Sequence, residues 1–394
     1  MIKNQLAGKT IQQTMNFSPD ISLIIECCKT TPNAALVQEL LERINDWAAF
    51  EELSYAHGVF PLVYATLKLH GANVPNAVIQ SMKSHNMDIA KQNMLMSTEL
   101  IKVMKLLEAN AIEAIAFKGP ALAQQAYGNI TLRQYVDLDI LVDEADLQRA
   151  LNALKTQEYT LDEALFQKVI DAPSIFHDVT LSAKNSIQIE LHWKLFSDEF
   201  QTNIETLNIK ENLDEVELLN HKLKSFQKEV LILYLSIHGA KHNWERVEWL
   251  VDIVRFIEKN GIDWEKLTEL MHKTRTSKIM LSTLYLCHKV LGFELPSSIS
   301  QALAQTQILK LSKDFEALFY HRFRDSLDVK VQTKVISKIQ YDILEGYKSK
   351  LLFIASLLKP TDIDFQSISL PKPLHFLYYF LRPLNILKRW FRKL

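Results

Sequence analysis

Glycine and proline are scarce in this chain, nine and eleven among 394 residues, and no internal repeat or low-complexity stretch accompanies them. That scarcity excludes collagen-like, repeat and largely disordered architectures and favours a helix-rich globular chain. Cysteine is nearly absent as well. Cys27, Cys28 and Cys287 are odd in number and lack metal-ligand spacing, which argues against a disulfide framework and for three buried thiols in a reducing compartment. Neither sign of charge is in excess, with 45 Lys and Arg against 46 Asp and Glu, so no overall field would draw the chain onto nucleic acid. Long apolar runs are missing too. Nothing approaches the ~18 residues of a membrane span, and the longest run near the C-terminus covers 376–381. Residues 1–20 lack the continuous apolar core of a secretory signal, so a cytoplasmic location is expected.

What is present is apolar material, 48% of the residues, enough for a large core and two or three domains. Apolar residues at three- and four-residue spacing predict helices over 21–28, 33–47, 59–69 and 76–108, with Pro32 and the Pro75-Asn76 step marking starts. Met87, Met94, Met96 and Met104 on the last of these read either as core packing or as a flexible binding surface.

Strand character concentrates between Ala111 and Leu195. A short strand over 111–117 runs into Lys118-Gly119-Pro120 and a helix over 121–127. Such a bend leaves backbone N–H groups free to meet a phosphate. The run 136–142 is a strand that carries Asp137 and Asp139 among apolar residues. Alternate side chains share a face, so both carboxylates project together, ~7 Å apart, while Val136, Leu138 and Ile140 face the core. Like charges so arranged repel, and a cation should lie between them. Removing either charge should leave the fold intact.

A helix over 144–155, capped by Asp143, comes next. Then 176–183 and 187–195 form a hairpin about Lys184-Asn185-Ser186. In its second strand Ile187, Ile189, Leu191 and Trp193 alternate with Glu190, His192 and Lys194. If the two strand regions are neighbours, Glu190 joins Asp137 and Asp139. Residues 208–220, with Glu211, Asp214, Glu215 and Glu217, read as an acidic surface segment leading to helices over 228–356. There HGAKHNWERVEWLVD supplies His238, Lys241, His242, Trp244, Arg246 and Asp252. His238 and His242 share a helix face at i, i+4; zinc binding and a plain helix contact both fit, and no third ligand is evident. The tail 370–394 is basic and apolar with no acid, and suits either an anionic membrane surface or docking on the body.

The Lys118-Gly119 turn, Tyr127-Gly128, Leu132-Arg133, Asp137-Leu138-Asp139-Ile140-Leu141-Val142 and Glu190-Leu191-His192-Trp193 together resemble the uncharacterised bacterial nucleotidyltransferase family of the DNA polymerase β superfamily. The resemblance implies an α+β, predominantly helical fold. A small mixed-sheet core over 111–207 would be flanked by helical regions over 1–110 and 208–360, with 361–394 as a basic amphipathic tail. It implies Mg²⁺-dependent transfer of a nucleoside monophosphate from an NTP to a hydroxyl, with two Mg²⁺ ions. Asp137, Asp139 and Glu190 would be the catalytic acids and metal ligands. Lys118, Gly119 and Arg133 would hold phosphates, and His192, His238, Lys241 and His242 would line the nucleotide or acceptor pocket. Many members have Gly-Ser where this chain has Lys118-Gly119-Pro120, which keeps a non-catalytic nucleotide-binding module as the alternative. A membrane-surface scaffold led by the tail, with the protein peripheral to the inner face of the membrane, is the other. The acceptor would be a small molecule, a sugar or a protein rather than nucleic acid.

Overall fold

Short polar side chains open the first helices in the computed structural model, which describes residues 17–171, 173, 176–183, 186–195, 202–204, 207–324, 338–357, 377, 378, 381 and 382. Ser18, Asn33 and Asp46 each accept a hydrogen bond from a first-turn N–H, and so start α1 (Pro19–Cys28), α2 (Ala34–Leu41) and α3 (Trp47–Ala56). The helix expected over 33–47 is therefore two elements. The first ends at Leu41, and the Asp46 cap opens the second at Trp47. Next come α4 (Phe60–His70) and the 34-residue α5 (Asn76–Ala109). The four methionines of α5 divide: Met96 and Met104 are buried, whereas Met87 and Met94 are 50% and 46% exposed.

The sheet has four strands, β1 (Ala114–Ala116), β2 (Asp137–Val142), β3 (Asp178–Ser182) and β4 (Gln188–His192), in the order β1-β2-β4-β3. β1 runs antiparallel to β2, β2 parallel to β4, and β4 antiparallel to β3, so the sheet is mixed and the expected hairpin is its β3–β4 edge. Between β1 and β2 lies α6 (Gly119–Tyr127); between β2 and β3 lie α7 (Leu147–Thr156) and α8 (Glu163–Asp171). Asp143 caps the short 3₁₀ turn ahead of α7, accepting from the Ala145 N–H. Val136 departs from its expected place in the core. It is 75% exposed, because the strand starts one residue later and the alternation that buries Leu138 and Ile140 does not reach it.

The expected acidic surface segment over 208–220 contains a strand. β5 (Leu213–Leu218) pairs with β6 (His221–Phe226) across a two-residue turn in which Leu219 and Asn220 both have positive φ. Val216 and Leu218 are buried on one face while Glu215 and Glu217 are exposed on the other, an alternation hidden by the density of acids. The rest is helical: α9 (Lys228–Lys241), α10 (Val247–Asn260), α11 (Trp264–Thr274), α12 (Ser277–Leu291), α13 (Ser297–Leu303), α14 (Thr306–Arg324) and a further helix, Tyr347–Leu357. The fold is α+β and predominantly helical.

Two apolar clusters hold these elements. One gathers Met96 and Leu107 of α5 with Leu138, Ile140, Ile189 and Leu191 of the sheet. The other joins Ile24 and Val63 of the N-terminal helices to Val251, Leu284 and Phe315 of the C-terminal ones. Among the described residues no helix is long and apolar enough to cross a membrane. The tail lies outside the described residues except for Leu377, Tyr378, Leu381 and Arg382, of which Tyr378 is buried.

The link from α9 to α10 turns on Asn243 and Trp244, both at positive φ, which fold the Trp244 indole back over Gly239. A β-carbon at Gly239 would overlap that buried ring. Helix propensity alone would make Gly239→Ala stabilising by ~1 kcal/mol. The overlap reverses the sign, and urea unfolding of Gly239→Ala should show a net loss of about 1–3 kcal/mol.

Candidate functional site

Gly119 begins α6 at φ +53°, and a β-carbon there would lie 3.0 Å from the Asp137 carbonyl oxygen. Glycine thus lets the entry to α6 lie directly against the start of β2. No side chain caps α6, and Pro120 contributes no N–H, so its first turn offers one donor fewer than a Gly-Ser turn would.

The parallel register of β2 and β4 sets Asp139 opposite Glu190 and Leu141 opposite His192. Asp137, two residues before Asp139, shares its face. Lys118, Gly119, Arg133, Asp137, Asp139, Glu190, His192, His238, Lys241 and His242, the ten residues singled out from the sequence, all line one cavity of about 390 Å³. That volume is of the size that takes small ligands.

The cation expected beside the acidic pair is Lys118. Its Nζ lies 2.6 Å from Asp139 Oδ1, and His192 Nε2 lies 3.4 Å from the same oxygen and 3.5 Å from Glu190 Oε2. Burial favours the neutral form of Asp139, yet Lys118 and then His192 outweigh it and hold the carboxyl well below the usual range. Burial opposes the charge on Lys118 too, but Asp139 keeps its pKa above that of an ordinary lysine. Asp137 has no such partner, and burial together with the charge of Asp139 pushes it up to about 6. Burial disfavours the charge on His192, but its contacts with Asp139 and Glu190 outweigh this and lift it to about 9 in the metal-free protein.

Arg133 serves a different pair. Its Nη2 lies 2.9 Å from Glu248 Oε1, its Nε 3.0 Å from Asp252 Oδ1, and Tyr127 Oη donates to that same Asp252 oxygen at 2.7 Å. The three partners come from α10 and α6, so this knot fixes both helices against the strand that carries the acids. Burial pushes Glu248 towards neutrality against the pull of Arg133. Across the cavity, Tyr234, His238, His242 and Trp249 form a continuous wall of rings, with His238 and His242 centroids 4.8 Å apart. Burial, then the nearby Lys118 charge, keep His238 neutral. Among the described residues the one group with metal-ligand spacing is Asp139, Glu190 and His192, whose ligand atoms lie within 4.8 Å of one another; the His238 and His242 pair has no third ligand there.

Glu248, Tyr234, Trp249 and Asp178 also line the cavity and were not singled out from the sequence. Glu248 had a legible signal: with Asp252 it makes an i, i+4 acid pair on a helix whose neighbours Val247, Leu250 and Val251 are all buried. Two acids on a buried face require a buried cation.

Residues 44–292 match the model of a family described as uncharacterised nucleotidyltransferase. No curated protein and no solved structure matches the chain.

Replacing Arg133 by Met leaves two buried carboxylates uncompensated and should cost about 3–5 kcal/mol in urea unfolding. Arg133→Lys should recover only part of this, since an ammonium lacks the fork that meets both acids. The pKa of His192 gives a second test. Folding raises it from 6.5 to about 9, so its contribution is complete below pH 6.5 and is lost as pH rises to 9. In chelator-treated protein the stability difference between wild type and His192→Gln should shrink across that window.

Proposed function

This chain belongs to the family of uncharacterised nucleotidyltransferases, and from that premise we propose that it moves a nucleoside monophosphate from an NTP to a hydroxyl of an acceptor with the aid of divalent metal, Mg²⁺ at two positions. One arrangement carries the reading: Asp139 and Glu190 stand opposite each other on neighbouring parallel strands, Asp137 shares their face, and Lys118 and the Gly119 turn adjoin them in one cavity. The residues fit a metal. Both Asp139 oxygens and both His192 nitrogens are buried without a well-aligned hydrogen bond among the described residues, and the donor set is dominated by hard oxygens.

Asp137, Asp139 and Glu190 would hold the metal, which when bound neutralises charge on the transferring phosphoryl group and lowers the pKa of a coordinated hydroxyl. Lys118 supplies a point charge for the phosphate oxygens, and the free end of α6 at Gly119 supplies backbone N–H groups. Glu190 is the residue best placed to accept the proton of the acceptor hydroxyl, since Asp139 is paired with Lys118. Arg133, engaged by Glu248 and Asp252, acts by holding α10 in position. His238, Lys241 and His242 bound the nucleotide or acceptor side of the cavity, and a small molecule, sugar or protein is the favoured acceptor.

The test is incubation with α-labelled NTPs, Mg²⁺ and cell extract. Asp137→Asn and Glu190→Gln should each cut transfer of label by roughly a thousandfold while far-UV circular dichroism stays unchanged. Wild-type labelling by Asp137→Asn would overturn the reading; tight NTP binding with no label transferred by the wild type would make the chain a nucleotide-binding module instead. Asp139→Asn differs from the expectation that loss of either charge is harmless. It strips buried Lys118 of its counter-ion, so its melting temperature should fall as well as its activity.

A further inference from the structure

Beyond the three acids, one side chain of the cavity has a placement that charge neutralisation does not explain. The His192 ring is 4% exposed, and Phe117 packs edge-on against it with centroids 5.3 Å apart. Its Nε2 points between Asp139 Oδ1 and Glu190 Oε2, while its Nδ1 lies 3.8 Å from Asp178 Oδ2. Asp178 is His192's own register partner across β3 and β4, so the backbone fixes the pairing. Neither ring nitrogen makes a well-aligned hydrogen bond to a described residue. An imidazole with one nitrogen aimed at two carboxylates and the other backed by a third has the layout of a metal-ligating histidine, in which the outer acid sets tautomer and ring direction.

We infer that His192 Nε2 is itself a metal ligand, completing with Asp139 and Glu190 a two-oxygen, one-nitrogen site that selects a first-row divalent transition ion over Mg²⁺. Mg²⁺ takes hard oxygen donors and keeps its waters, whereas borderline ions gain from an imidazole. The inference rests on the metal-dependent reading above and alters its choice of ion at one position. Asp178 is a positioning residue here, acting through His192.

The experiment uses the full chain, stripped of metal with a chelator and without nucleotide, and Mn²⁺ as the probe. Pulsed electron paramagnetic resonance of bound Mn²⁺ should show coupling to a directly coordinated imidazole nitrogen. The coupling should vanish in His192→Gln and persist in the double variant His238→Gln/His242→Gln, which assigns it even if His192→Gln folds poorly. By calorimetric competition Mn²⁺ should bind at least about tenfold more tightly than Mg²⁺, the preference should fall to near unity in His192→Gln, and Asp178→Asn should weaken Mn²⁺ by roughly tenfold. Absence of nitrogen coupling in the wild type, its survival in His192→Gln, or an equal Mn²⁺ to Mg²⁺ ratio in the two proteins would overturn the inference. Because no nucleotide is present, coupling without any transfer of label elsewhere would sink the enzymatic reading and leave the ligand set standing. Label transfer without coupling would do the reverse.

Discussion

A carboxylate charge with almost no access to water is the constraint around which this protein is arranged. Asp139 is 1% exposed, and an ion in that position is tolerable only beside another of opposite sign. Lys118 supplies it, and to do so the chain must turn at Gly119 against the carbonyl of Asp137, a closeness that a side chain there would prevent. The turn, the start of α6 and the acid-bearing strand are thus one unit. What looks in the sequence like two separate features, a Lys-Gly step and an Asp-x-Asp strand, is a single ion pair with its scaffolding.

The same principle recurs on the other side of the cavity. Arg133 is spent on Glu248 and Asp252, and the result is mechanical: a helix of the C-terminal half is bolted to the residues that lead into β2. Two buried clusters of charge therefore back onto one cavity with different consequences. In the first, Asp137, Glu190 and His192 leave the balance unfinished, and the imbalance is an invitation to a further cation. In the second, Arg133 meets both acids at about 3 Å, Glu248 through Nη2 and Asp252 through Nε.

Much of this is readable from the chain. Period-two alternation in 136–142 and 187–195 exposes the acid face, and Glu190 can be set beside Asp137 and Asp139 because Ile189 and Leu191 have to face the core. The neighbour relation of β2 and β4 is not readable, since strand order depends on long-range packing. The roles of charges are harder still. Arg133 stands four residues before Asp137 and invites pairing with it, yet its partners lie more than a hundred residues away. Val136 is misplaced by a rule applied one residue past the strand, and the β5–β6 hairpin is concealed because three acids within Leu213–Leu218 mask its alternation.

The apolar cluster that unites the first and last helices carries a consequence for synthesis. α1 packs on α2 and α4, its near neighbours in the chain, and also on α12, so the part of its surface that meets α12 is covered only after about 250 further residues have been added. At roughly 5–20 residues per second that is a wait of tens of seconds. Until then the N-terminal helices can close only on one another, and the cluster they share with the C-terminal helices forms last.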